Sequence, residues 1–122
     1  NRTHMVRVPG PGRFELRLPD GAANPYLLQA VIIAAGLDGL ENKADPGKRY
    51  DIDMYAEGYK VRGAPKLPLN LLDALRNLDR DKGLKAAMGT ECSDAYLKLK
   101  YQEWNAYASH FTQWEKDNTL DI

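Results

Sequence analysis

The segment NRTHMVRVPGPGRFELRLPDGAANP, Asn1 to Pro25, sets four arginines (Arg2, Arg7, Arg13, Arg17) and Glu15 within seventeen residues. Its second half alternates, with Arg13, Glu15 and Arg17 on one face of an extended chain and Phe14, Leu16 and Leu18 on the other. That period predicts a strand seated on a core by its apolar face. Thr3 to Val8 is β-branched enough to form a second strand, and Pro9-Gly10-Pro11-Gly12 supplies a turn between the two and interrupts their pairing.

The opposite face then presents three charged groups roughly 6–7 Å apart along the strand. Glu15 partly neutralises its neighbours, and the positive charge left over asks for an anion. Arginine offers planar, multi-donor recognition of phosphate and carboxylate. A carboxylate held among such groups stays ionised and can ligate a hard cation such as Mg²⁺. The same pattern also describes a surface strand with cross-strand ion pairs, each worth at most about 1 kcal/mol. By itself the alternation names no substrate.

Downstream, Pro19-Asp20-Gly21 makes a turn, and Asn24-Pro25 reads as an N-cap with proline in the first helical position. Tyr26 to Leu37 is apolar nearly all round, which predicts a helix buried on most sides and ending near Gly36 and Gly39. A helix of that kind expects a larger body than these residues supply. Residues 41–69 lack a period, and a connection that long wraps a partner surface or carries function. Asn70 caps a helix over Leu71–Leu78, a second helical piece runs from Asp81 to Met88, and the last helix extends from Thr90 to Lys116. Along it Cys92, Tyr96, Leu99, Trp104, Tyr107, Phe111 and Trp114 make an apolar stripe for core or subunit packing. Lys98, Lys100, Glu103 and Gln113 form its solvated side. The fold class is therefore α+β: a short antiparallel remnant of a larger sheet, then a mainly helical half, with residues 1–122 amounting to one domain's worth of chain or part of a larger domain.

Seventeen basic residues balance seventeen acidic ones, which argues against bulk nucleic-acid binding and makes the arginine cluster local. The single cysteine, Cys92, excludes an intramolecular disulfide and is expected in the core. No apolar run is long enough to span a bilayer and no signal peptide is visible, so the expected compartment is the cytoplasm, with no membrane partner. His4 and His110 form no local metal-binding pair and read as structural. No glycine-rich phosphate loop is present.

NRTHMVRVP, RFELRLPD, ANPYL and AAGLDG, in this order and spacing, resemble the C-terminal part of the catalytic domain of glutamine synthetases. The wording RTHM and PGPGRFELRLPDGAANPYL is similar to the bacterial type III-like branch, which also contains γ-glutamylmethylamide synthetases. The resemblance implies an ATP-dependent ligase that activates glutamate as γ-glutamyl phosphate and amidates it with ammonia. It implies Arg2 at the transferring phosphate, Arg7 and Arg13 on the ATP phosphates, Glu15 on one Mg²⁺ or Mn²⁺ ion, and Arg17 on the glutamate substrate. The loop around Gly10-Pro11-Gly12 is shorter than in many relatives, which bears on Arg13. Tyr55 sits near a tyrosine that is regulatory in some bacterial members, although anchoring of the loop by buried aromatic rings competes with that role.

The family's remaining metal ligands, its nucleotide base pocket and its small N-terminal domain lie on sequence that precedes this stretch. The chain begins at Asn1, without methionine, so a longer natural polypeptide is expected, commonly a dodecamer, and the isolated chain is expected to be inactive. Two alternatives stand beside that reading. One is a γ-glutamylmethylamide ligase taking methylamine, and the other is a non-catalytic interaction or oligomerisation module.

Overall fold

The computed structural model describes residues 5–63 and 66–119, which fold as two compact units divided between Lys66 and Leu67. Arg2 and His4 lie outside the described residues.

The first unit opens with an antiparallel hairpin, β1 (Val6–Gly10) and β2 (Arg13–Leu16). Val6 pairs with Leu16, Arg7 with Glu15 and Gly10 with Arg13. The register slips between Arg7 and Gly10, so Val8 and Pro9 together face Phe14. Proline has no N–H to give a ladder, and the extra residue absorbs that loss as a bulge. Pairing thus runs through Pro9 to Gly10, and the turn narrows to Pro11 and Gly12. Gly12 has φ +72°, the left-handed value that a turn with proline before it needs. Beyond β2 the Arg17 N–H donates to the Met5 carbonyl at 2.9 Å, extending the ladder by one bond. The apolar face is less covered than its alternation implied. Phe14 is 60% exposed and Leu18 46%, because a two-stranded ribbon leaves that face to whatever packs on it.

Helix α1 (Pro25–Glu41) starts as its sequence directs, with the Asn24 side chain accepting from the N–H groups of Tyr26 and Leu27. It does not stop at Gly36 or Gly39 but runs through both. It closes after Asn42, where Lys43 takes φ +50° and the Ala44 N–H donates back to the Gly39 carbonyl at 2.8 Å. With Lys43 donating to Leu40, this is a Schellman closure built on lysine instead of glycine. No residue of α1 is buried within the chain, and Tyr26, Ile33, Leu37 and Leu40 are each more than half exposed. Past it, α2 (Met54–Glu57), capped by Asp53, and a 3₁₀ turn at Gly58–Lys60 interrupt an otherwise irregular stretch.

The second unit packs α3 (Leu71–Arg80), α4 (Lys82–Met88) and α5 (Thr90–Ala108) against one another. Asn70 caps α3 reciprocally: its side-chain oxygen accepts from the Asp73 N–H at 2.9 Å, while its amide donates to the Asp73 carboxylate at 3.1 Å. Asp81 ends α3 and caps α4 through the Leu84 N–H. The core is Leu75, Leu97 and Ser93, with Ser93 satisfied by its hydroxyl donating to the Thr90 carbonyl at 3.0 Å. Lys85 ties the α3 end to α5, 3.0 Å from Asp79 and 3.9 Å from Asp94.

Two expectations for the last helix are corrected. Its inward face is Ser93 and Leu97, while Cys92, Leu99, Tyr107, Phe111 and Trp114 are exposed. Nor does it reach Lys116. Ser109 ends α5 by folding its hydroxyl back to the Asn105 carbonyl at 2.7 Å, and a new helix, α6 (Gln113–Thr119), follows. Thr112 and Glu115 form a capping box at that restart: the Glu115 N–H donates to the threonine hydroxyl, and the Thr112 N–H donates to the glutamate side chain at 2.8 Å.

Leu75 is 2% exposed and anchors this small core. Leu75→Ala is expected to lower the stability of the helical unit by about 2–4 kcal/mol. Urea unfolding followed by far-ultraviolet circular dichroism checks it, and an unchanged midpoint would show that the core lies elsewhere.

Candidate functional site

Antiparallel register puts Arg7 directly opposite Glu15, and the two-residue period of β2 puts Arg17 on the same face. The three side chains meet. Arg7 Nη1 donates to both carboxylate oxygens of Glu15, at 3.3 and 3.2 Å. Arg17 donates to Oε2 through Nε at 3.3 Å and through Nη2 at 2.9 Å. The Arg17 side chain is the better packed, 24% exposed against 52% for Arg7. Arg13 pairs in register with Gly10 at the turn and is exposed. No hydrogen bond or ion pair joins its side chain to another described residue. The structure thus assembles three of the five sequence-derived candidates and leaves Arg13 beside them, while Arg2 falls outside the described residues.

The guanidinium of Arg17, and after it that of Arg7, hold the Glu15 carboxyl below the ordinary carboxylate value of 4.5. An ionised carboxylate is the form a hard cation requires. Among the described residues, Oε1 accepts one hydrogen bond and Oε2 three. Among the described residues, no three His, Cys, Asp or Glu side chains gather to hold a metal ion. Glu15 therefore fits a divalent ion as one ligand only, and the others must come from elsewhere.

A feature with no local signature in the sequence lies beside this triad. Residues 48–52 come up to the hairpin and close a cleft of about 830 Å³, lined on one side by residues 5–8 and Arg17 and on the other by 48–52. Arg7, Arg17, Lys48 and Arg49 all border it. Arg49 is paired with Asp51 at 2.8 Å. The only signal for this wall is the basic doublet after Asp45-Pro46-Gly47. There the Asp45 side chain accepts from the Gly47 N–H at 2.9 Å and Gly47 takes φ +77°, which turns the chain into residues 48–52. Tyr55 and Tyr59 are 84% and 80% exposed, so buried rings at these two positions do not anchor the loop. Among the described residues no helix is long and apolar enough to cross a membrane.

Against known proteins, residues 1–119 match the family described as the catalytic domain of glutamine synthetase. Over its full length the chain is 78% identical to a glutamine synthetase of Rhizobium leguminosarum bv. phaseoli, spanning 28% of that protein. It is 72% identical to a glutamine synthetase of Rhizobium meliloti and 42% identical to a glutamate–methylamine ligase of Methyloversatilis universalis, again spanning 28% of each. A solved structure described as "Apo GmaS without ligand" superposes on the whole chain with a TM-score of 0.95 at 59% identity, the chain covering 28% of it. The relatives are several times longer than this chain, and the chain belongs to the glutamine synthetase family as a portion of its catalytic domain.

Proposed function

We propose that this chain is the C-terminal portion of an ATP-dependent glutamate–ammonia ligase and that the hairpin is its phosphate-, metal- and glutamate-binding element. The observation that carries the reading is Glu15 held ionised between Arg7 and Arg17 on one face of the hairpin. The high identity to glutamine synthetases over the entire chain supports it.

In this reading the γ-carboxylate oxygen of glutamate attacks the terminal phosphorus of ATP and ADP leaves. Ammonia then attacks the acyl carbon of γ-glutamyl phosphate, phosphate departs, and a proton is released. Both steps gather negative charge on oxygen, and fixed cations stabilise that charge best where water is excluded. Arg2, Arg7 and Arg13 neutralise phosphate oxygens, with Arg2 at the group in transfer. Arg17, set by its contact with Glu15, clamps the glutamate substrate. Mg²⁺ or Mn²⁺, when bound with Glu15 as one ligand, supplies further neutralisation of the phosphates. Among the described residues the chain offers Glu15 alone on the hairpin as such a ligand, and in this reading the isolated chain is inactive. The working protein is a longer cytoplasmic homo-oligomer, dodecameric in keeping with the resemblance.

The 42% identity to a glutamate–methylamine ligase supports a second reading in which methylamine replaces ammonia as acceptor. The same first step serves both, and the hairpin's role is unchanged. Product analysis with each amine separates them.

In the natural full-length polypeptide, Arg17→Ala is expected to raise the KM for glutamate at least about tenfold, because one charge-assisted clamp is lost. Steady-state phosphate release reads it, and a KM within error of the parent would remove Arg17 from the substrate site. Glu15→Gln is expected to raise the Mg²⁺ concentration needed for half-maximal rate by about tenfold or more. An unaltered metal dependence would deny Glu15 its place as a ligand.

The lowered Glu15 pKa also fixes a sign. A depressed folded-state value contributes stability that is present above the unfolded carboxylate value and is lost as pH falls through the folded one. The hairpin is therefore expected to hold its ion pairs at pH 4.5 and lose them below it. Carbon-13 titration of the Glu15 carboxyl should give a midpoint under 4.5, moved upward in Arg17→Gln. A midpoint at the ordinary value would mean the pairs do not persist in solution.

A further inference from the structure

The cleft beside the hairpin has a wall that none of the roles assigned above uses. Four cationic side chains border it, against the single carboxylate of Asp51. Glu15 already engages Arg7 and Arg17, and Asp51 engages Arg49. Lys48 has no hydrogen bond or ion pair with any described residue, and it stands directly after the Asp45-Pro46-Gly47 turn that aims the segment at the hairpin. Two carboxylates set against four cations leave an excess of two positive charges facing one cleft. Its volume of about 830 Å³ lies within the range of small-molecule and cofactor sites.

From this we propose that the segment 48–52 is the outer wall of the polyphosphate site and that Lys48 is a phosphate-positioning residue. This rests on the ligase reading above and extends it to a part of the chain outside the hairpin. The chemistry favours a polyphosphate over a carboxylate. Lysine is a compact point charge on a flexible stem, suited to a mobile phosphate oxygen, whereas fixed planar recognition falls to the arginines across the cleft. A single carboxylate would be served by Arg17 alone. An excess of two charges distributed over both walls matches a ligand bearing several.

The test compares Lys48→Glu, Lys48→Arg and Lys60→Glu in the natural full-length polypeptide. Lys60 pairs with Glu57 at 2.7 Å and does not border the cleft, so it makes the same charge change elsewhere in the same unit. Calorimetric binding of inorganic tripolyphosphate is measured beside the KM values for MgATP and glutamate. Lys48→Glu is expected to weaken tripolyphosphate and raise the nucleotide KM by about tenfold, with the KM for glutamate within about twofold. Lys48→Arg, which keeps the charge, should stay near the parent, and so should Lys60→Glu.

Tripolyphosphate binding by Lys48→Glu equal to the parent overturns the proposal. So does an equal loss in Lys60→Glu, which marks a general field effect, or in Lys48→Arg, which marks loop shape instead of charge. A parent that binds tripolyphosphate yet shows no glutamate-dependent ATP turnover sinks the ligase reading. The binding comparison still decides the role of Lys48.

Discussion

The contact on which the functional half of this chain turns is the sharing of one carboxylate by two guanidinium groups. Glu15 receives Arg7 from the neighbouring strand and Arg17 from its own, within 2.9–3.3 Å. Each pair is partly exposed and screened by solvent, so it adds little to stability. What it supplies is placement. Two flexible cations are brought to one face, a carboxylate is kept ionised among them, and the net charge left over is positive. Without the register that sets Arg7 opposite Glu15, the same residues would be scattered surface charges.

Placement of that kind needs a rigid backing, which these residues only partly provide. The chain exposes 10633 Å². A monomer of 13.7 kDa is expected to expose about 6,600 Å², and two separate bodies of half that mass about 8,000 Å². Exposed apolar surface includes Phe14 of the hairpin, the Tyr26, Ile33, Leu37 and Leu40 positions of α1, and Tyr107, Phe111 and Trp114 of the last two helices. In the second unit, by contrast, helix caps and the buried Leu75 and Leu97 make a small core of its own. A chain that spans 28% of its relatives is expected to leave its remaining apolar faces to the rest of the catalytic domain.

How much of this the residues announce depends on the range of the interaction. Local chemistry is legible. Asn24-Pro25 and Asn70 start their helices where they should, and the alternation from Arg13 to Arg17 yields the face on which Arg17 meets Glu15. Misreadings come from rules applied to the wrong competitor. Gly36 and Gly39 cost the helix about 1 kcal/mol each, which the surrounding apolar run outweighs, and Lys43 makes the closure instead. The Thr112–Glu115 capping box was there to be read as a restart, but a continuous aromatic spacing masked it. Period marks the apolar positions of α5 but not which of them pack within this chain. Packing on α3 and α4 selected the small Ser93 and Leu97 instead. The approach of residues 48–52 to the hairpin has no local signature, since a contact between segments some forty residues apart leaves no period in either.

These two findings bear on each other. A cationic cleft on a small, open unit is bathed in water, where each charge is screened and holds an anion weakly. In the proposed ligase the rest of the catalytic domain would cover the apolar faces left open, and closure over a cationic cleft lowers the local dielectric and strengthens charge–anion contacts several-fold. The same exposure that deprives this chain of a full core therefore also deprives its arginines of their strength. Burial of the Phe14 face would stiffen the hairpin and help fix the Arg7–Glu15–Arg17 geometry. Electrostatic preorganisation of this kind belongs to the assembled domain, while the residues that carry the charge are already in register here.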